Sequence, residues 1–543
     1  MTLRLRGFLL VAVALFAARV CAAPLVRTEA GTVRGESKGN MNIFKGLPYA
    51  LPPVGARRWQ PPGKMPTWQG VREATAFGPA CYQPANDPGS IYAWKPMPMS
   101  EDCLTLNIWA PAKARREPVL VWIHGGALLT GSSADTLYDG TSLSERGVIV
   151  VSINYRLGVL GYLAHPALSA ESTTGISGNY GLQDQIAVLR WVKANIAAFG
   201  GDPSNVTIAG ESAGGLSAMY LMASPLARGL FQKAIVQSAY MISTPELREA
   251  RFGSASAEAI GSALADTLGA KDVAGLRAMD AGELTIAAAH AGYAPFGTID
   301  GQVLPRQLVD VFDRGEQARV PILAGFNSGE IRSLRFLAAP VPADRSTYES
   351  SIRDRYADMA GEFLRLYPVS DMEQSVMATA RDAMYGWTAE RLAAKQTALG
   401  VGAYLYYFDH GYPAADAGGL HAFHASELPY VFGTADGTPR LWPKVPAERA
   451  EVKLSAAMMD YWTAFARDGV PSANHEARWA PYGTDRAYMA FGESPLPGQH
   501  LLPGMYEFNE QVVCRRRADG GMAWNWNVGL LSPPLPAPVP GCH

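Results

Sequence analysis

The chain has 543 residues, of which 48% are hydrophobic and 18% charged. That balance can build a buried core and excludes a wholly disordered or collagen-like chain. Lys and Arg number 47 against 49 Asp and Glu, a formal charge of -2, and no run of like charge is long enough to follow a phosphate backbone, so nucleic acid is not an expected partner.

The N-terminus reads as a cleaved secretory signal over residues 1–22. Arg4 and Arg6 precede an apolar run at 8–18, and small residues Ala22 and Ala23 follow. The run is shorter than the roughly 20 residues a bilayer span needs. A lipid-anchored Cys21 is the rival reading, and bulky Val20 directly before it fits poorly. The mature chain, 23–543, is expected to be exported, secreted or periplasmic, with no membrane span. Loss of Cys21 leaves Cys81, Cys103, Cys514 and Cys542, an even number in an oxidising setting. Three pairings are possible. Local closure favours Cys81 with Cys103 and Cys514 with Cys542, each loop contributing about 3 to 4 kcal/mol in the chain-entropy account; four buried thiols are the alternative. No Cys-x-x-Cys spacing supports zinc.

Short apolar, β-rich runs at 119–123, 148–153, 206–209, 234–236 and 322–324 alternate with helical patterns. Continuous apolar strands are covered on both faces, which predicts a mostly parallel sheet flanked by helices, an α/β fold. Ile186, Leu189, Val192, Ile196 and Phe199 recur at helical spacing and stop at Gly200-Gly201-Asp202-Pro203. A second apolar helix is expected over 455–467, and strands at 404–408 and 488–491 extend the sheet. The tail carries Pro533, Pro534, Pro536, Pro538 and Pro540, so 531–543 is expected to be an extended, exposed appendage.

Gly210-Glu211-Ser212-Ala213-Gly214 sits between the strand at 206–209 and the apolar run at 219–222. A tight strand-to-helix turn lifts the Ser212 hydroxyl clear of the sheet, and glycines flank it because no side chain fits there. The motif alone is weak and its setting makes it strong. Upstream, Trp122-Ile123-His124-Gly125-Gly126-Ala127 leaves a strand into a loop whose N–H groups can face a developing oxyanion, against the plainer reading of a Gly-Gly turn.

These segments, with Asn154-Tyr155-Arg156-Leu157-Gly158, the stretch 178–185, Phe199-Gly200-Gly201-Asp202-Pro203, Ser100-Glu101-Asp102-Cys103-Leu104 and the region around His424, resemble the type-B carboxylesterase and cholinesterase family. The likeness runs from about residue 31 to about 508. It implies one α/β-hydrolase domain over 23–543, hydrolysis of small carboxylic esters without cofactor or metal, and a triad in the order Ser212, Glu330, His424. Gly126, Ala127 and Ala213 match the family's oxyanion donors, and Ala127 stands where many relatives have Gly. Glu330 lies in Asn327-Ser328-Gly329-Glu330-Ile331, a departure from the family's Asp-Glu-Gly, with Asp300 and Asp409 as alternative acids. His421 does not match the family; by spacing alone, His421 and His424 would suit a metal pair, but no third ligand accompanies them. Arg156 with Asp184, and Arg58 with Glu101, are implied as structural ion pairs. Glu211 is either a tuning group beside Ser212 or a local cap. Trp94 resembles the cholinesterase tryptophan that faces choline, and is expected either to overhang the alcohol side of the site or to pack its loop. The alternatives to an esterase are a catalytically inactive adhesion module of the same fold and an acyl transferase; a Ser-x-x-Lys enzyme lacks its motif here.

Overall fold

A computed structural model describes residues 23–542 except 86 and 96; the signal peptide expected over 1–22 lies outside the described residues. The apolar runs assemble into one eleven-stranded sheet. Its middle is parallel, with Ile149–Ile153, Glu117–Ile123, Gly201–Glu211, Lys233–Gln237, Ile322–Asn327, Ala403–Phe408 and Ala487–Phe491 as successive neighbours. All seven strands expected from the sequence are there. Both ends turn antiparallel, through Pro495–Gln499 on one side and Thr105–Pro111, Met41–Pro48 and Glu36–Lys38 on the other. Pro495 and Pro497 fit the outermost position, where a missing N–H costs no ladder bond. A separate three-stranded sheet joins Leu25–Arg27, Thr32–Arg34 and Val71–Glu73.

Helices cover both faces. In Tyr180–Asn195, Ile186, Leu189 and Val192 are buried against the sheet, and Gly200 at φ 89° ends the following short turn by taking the left-handed backbone that glycine adopts without strain. Arg449–Asp468 buries Trp462 and Phe465 and is closed by Gly469 in the same way. The loops that matter leave the carboxyl ends of the parallel strands Glu117–Ile123, Gly201–Glu211 and Ile322–Asn327, where α/β sheets open a crevice for ligands.

Disulfides join Cys81 to Cys103 and Cys514 to Cys542, at Cα separations of 5.0 and 5.5 Å. The C-terminal segment is not the free appendage expected from its prolines. Ser532 and Leu535 are buried, Leu535 N–H donates to Arg355 O at 2.6 Å, and Arg516 Nη2 donates to Ser532 Oγ at 2.6 Å. An extended chain without internal hydrogen bonds is available to others, and these contacts strap it to the helical layer. Among the described residues no helix is long and apolar enough to cross a membrane.

Candidate active site

The strand Gly201–Glu211 runs directly into Ser212, which stands at φ 56°, ψ -122° and begins the helix Ala213–Ala223. A non-glycine residue pays for such a backbone with strain and holds it only where the surroundings fix it. Here Ser212 N–H donates to Gln237 O at 3.0 Å and Ser212 O accepts from Leu216 at 2.9 Å. The glycines are required by close approach: a Cβ on Gly214 would lie 2.0 Å from Ile123 O, and one on Gly210 would lie 2.4 Å from the Gly214 backbone.

The loop after Glu117–Ile123 passes beside this turn. A Cβ on Gly125 would meet Glu211 O at 2.8 Å and Ser212 Cβ at 3.1 Å. Gly126, Ala127 and Leu128 all take positive φ, 97°, 55° and 58°, so Ala127 carries a left-handed conformation that glycine would adopt more easily. Among the described residues the N–H groups of Gly126, Ala127 and Ala213 donate to no protein acceptor. His124 anchors the loop: its Nδ1 lies 2.9 Å from Gly125 O, its ring stacks on Tyr155, and Tyr155 Oη donates to His124 O at 2.8 Å. Burial pushes the His124 imidazole down to about 4, so it is a neutral prop.

From the next strand but one, Ile322–Asn327, the chain enters the turn that carries Glu330. Glu330 is wholly buried; its Oε1 accepts Asn327 N–H at 2.8 Å and its Oε2 lies 2.5 Å from His424 Nδ1. Gly329, the departure in this loop, has a reason. It pairs with Phe423, its N–H donates to Ala422 O at 2.8 Å, and a Cβ there would sit 2.8 Å from the carbonyls of Leu420 and Ala422. Asp300 and Asp409 lie elsewhere: Asp300 accepts from Asn179 and nearby backbone, and Asp409 faces His421. His421 is bracketed by Asp409 at 3.2 Å and Asp416 at 2.7 Å, and among the described residues no group of His, Cys, Asp or Glu forms a metal site.

The sequence profile of the carboxylesterase family matches residues 22–508. The fumonisin B1 esterase of Sphingopyxis macrogoltabida is 37% identical over 88% of each chain. The para-nitrobenzyl esterase of Bacillus subtilis is 36% identical over 84% of this chain and 92% of its own. A solved para-nitrobenzyl esterase structure superposes with a TM-score of 0.77 at 32% identity, covering 89% of this chain and 99% of that one. The chain belongs to the carboxylesterase family.

In this carboxylesterase one cavity of about 710 Å³ holds Ser212, His424, Glu211, Gly126, Ala127 and Trp94 on its walls. Trp94 is partly exposed on the wall of this cavity, while neighbouring Lys95 is exposed and does not line it. The pairs Arg156–Asp184 and Arg58–Glu101 are both bidentate, the first buried and the second partly so, and neither lines this cavity.

Charge at the base is richer than the motifs indicated. His424 Nε2 lies 3.1 Å from Glu211 Oε1, off the line of a hydrogen bond. A third carboxylate, Glu427, is wholly buried and accepts from Asn327 Nδ2 at 2.6 Å and Gln237 Nε2 at 2.9 Å. Burial pushes His424 down, but the carboxylates of Glu211, Glu330 and Glu427 outweigh it and hold the imidazole up at about 9. Burial in turn raises Glu211 to about 8 and Glu427 to about 7. The sequence offered Glu427 only as a residue three positions after the histidine.

Proposed function

We propose that this carboxylesterase works through an acyl-enzyme on Ser212, with His424 as general base and acid and Glu330 as the group that orients it. The supporting observation is the 2.5 Å contact from Glu330 to His424 Nδ1, with the other face of that imidazole and Ser212 on the walls of one cavity. Ser212 Oγ attacks the acyl carbon as its proton passes to His424 Nε2. The carbonyl oxygen becomes an oxyanion that accepts from the N–H groups of Gly126, Ala127 and Ala213, donors of a kind that contribute about 3 to 4 kcal/mol to a transition state. On collapse, the bond to the alcohol breaks and the alcohol takes the proton from His424. Water then repeats the sequence: His424 accepts its proton, the hydroxyl adds to the acyl carbon, and Ser212 leaves with the proton while the carboxylic acid departs.

Nε2 faces Glu211 here, so proton transfer requires it to come into line with Ser212 Oγ, the kind of tightening that bound substrate brings. Retention of Ser212, Glu330 and His424 together argues against an inactive adhesion module. The two disulfides support an exported, oxidising location, and one sheet with strands from Glu36 to Gln499 supports a single domain. The test is labelling with an organophosphonate followed by peptide mass spectrometry. One adduct, on Ser212, is expected in the wild type and none in Ser212→Ala; a stoichiometric adduct elsewhere overturns the assignment.

A further inference from the structure

The family profile ends at residue 508, and the chain beyond it completes the helix Met505–Asp519 and returns to the catalytic cavity, where Trp526 stands on the wall. The two residues before it are clamped. Trp524 is wholly buried and packs edge to face on Trp387, with ring centroids 6.2 Å apart. Asn525 Nδ2 donates to the carbonyls of Met241 and Ala383, both at 2.9 Å. The residues that follow those two, Ile242 and Met384, line the cavity with Trp526.

Arg516 holds this segment from behind. Its side chain is wholly buried; Nη1 donates to Trp526 O at 3.1 Å, and Nη2 to Asn527 O at 3.2 Å and to Ser532 Oγ at 2.6 Å. Burying a cation against neutral acceptors is unfavourable, and the bonds it makes in return all fix the stretch from Trp526 to Ser532. Asn527 takes φ 52°, a left-handed backbone that asparagine adopts more readily than most residues. The Cys514–Cys542 bond ties the far end of the segment to the same helix. So anchored, Trp526 remains 37% exposed. Among the described residues, Trp526 and Phe336, the latter 79% exposed, are the large apolar side chains that both line the cavity and face water. They mark its mouth, and an apolar chain lying across them would release the water that covers them. A substituent confined to the buried interior gains nothing from these two rings, whereas one long enough to reach the mouth does.

We propose that Trp526, supplied by the chain beyond the family profile, is a specificity-determining residue that favours esters bearing an extended apolar chain over their short homologues. This rests on the esterase reading above and adds a chain-length class to it.

The test uses two pairs of esters: 4-nitrophenyl octanoate against 4-nitrophenyl acetate, which lengthens the acyl side, and octyl acetate against ethyl acetate, which lengthens the alcohol side. Each is assayed below its aggregation concentration with the wild type, Trp526→Ala and Trp526→Gln. The quantity read is the long-to-short ratio of kcat/KM within one enzyme, in which a general loss of folding or of catalysis cancels. Both variants remove the aromatic face, one by truncation and one by polarity, so the pair guards against a folding defect in either. The ratio is expected to fall by about fivefold or more in at least one pair of esters, and that pair identifies the side of the ester that crosses the mouth. Ratios that rise, or that stay within about twofold of the wild type in both pairs, overturn the role of Trp526 and leave the esterase reading standing. Failure of the wild type to hydrolyse any of these esters overturns the esterase reading, and this one with it.

Discussion

The nucleophile and its base are held in place by different forces. At Ser212 the backbone does the holding: Gly210 and Gly214 leave no room for a Cβ, and one helix and two sheet strands fix the positive φ. At His424 the holding is electrostatic, with Glu330 on one nitrogen, Glu211 near the other, and Glu427 buried behind them. A sterically fixed turn tolerates changes of charge and fails when a methyl group is added. A charge-held imidazole should tolerate small steric changes and respond to the loss of one negative charge.

The largest effect expected is from Ser212→Ala, a loss of about 10⁴-fold or more in kcat with the thermal transition nearly unchanged, and His424→Ala should match it. Steady-state turnover with calorimetry checks both. Glu330→Gln keeps the shape of the acid but not its charge; it is expected to lower kcat by about 10³ to 10⁴-fold, as loss of the orienting carboxylate does in serine triads.

Gly214→Ala probes the steric side. It leaves every reacting group in place but drives a Cβ to within 2.0 Å of Ile123 O. A displaced elbow is expected to cost about 10²-fold in kcat, with a lowered denaturation midpoint; wild-type activity would show that the backbone is not what fixes Ser212.

The electrostatic side shows in the pH profile. Only neutral imidazole accepts the serine proton, so kcat/KM rises with pH, and with His424 held up at about 9 the limb lies on the alkaline side of an ordinary histidine near about 6.5. Removing a nearby negative charge lowers the imidazole pKa and moves the limb to lower pH. Glu211→Gln is expected to shift it by about one pH unit and Glu427→Gln by less, because Glu211 is the stronger of the two influences. The smallest effect belongs to His421→Ala. That side chain is partly exposed between Asp409 and Asp416, and kcat/KM should stay within about twofold of wild type.

Much of this was legible in the sequence, for a physical reason. The parallel strands are written as continuous apolar runs because both faces are covered, and the elbow is written in five contiguous residues because its constraint is local steric exclusion around a turn. The oxyanion loop is readable on the same ground, although the strain at Ala127 is not. What only the tertiary structure decided depends on distance through space. Glu330 and His424 are 94 positions apart, and Gln237 and Glu427 are 190 apart; nothing local marks them as neighbours. Gly329 stands where it does because of the carbonyls of Leu420 and Ala422, and the proline-rich tail is strapped down by Arg355, Arg516 and Cys514. Local sterics are encoded by adjacent residues, whereas a pKa is set by which charges approach and how much water is removed, and folding alone determines both.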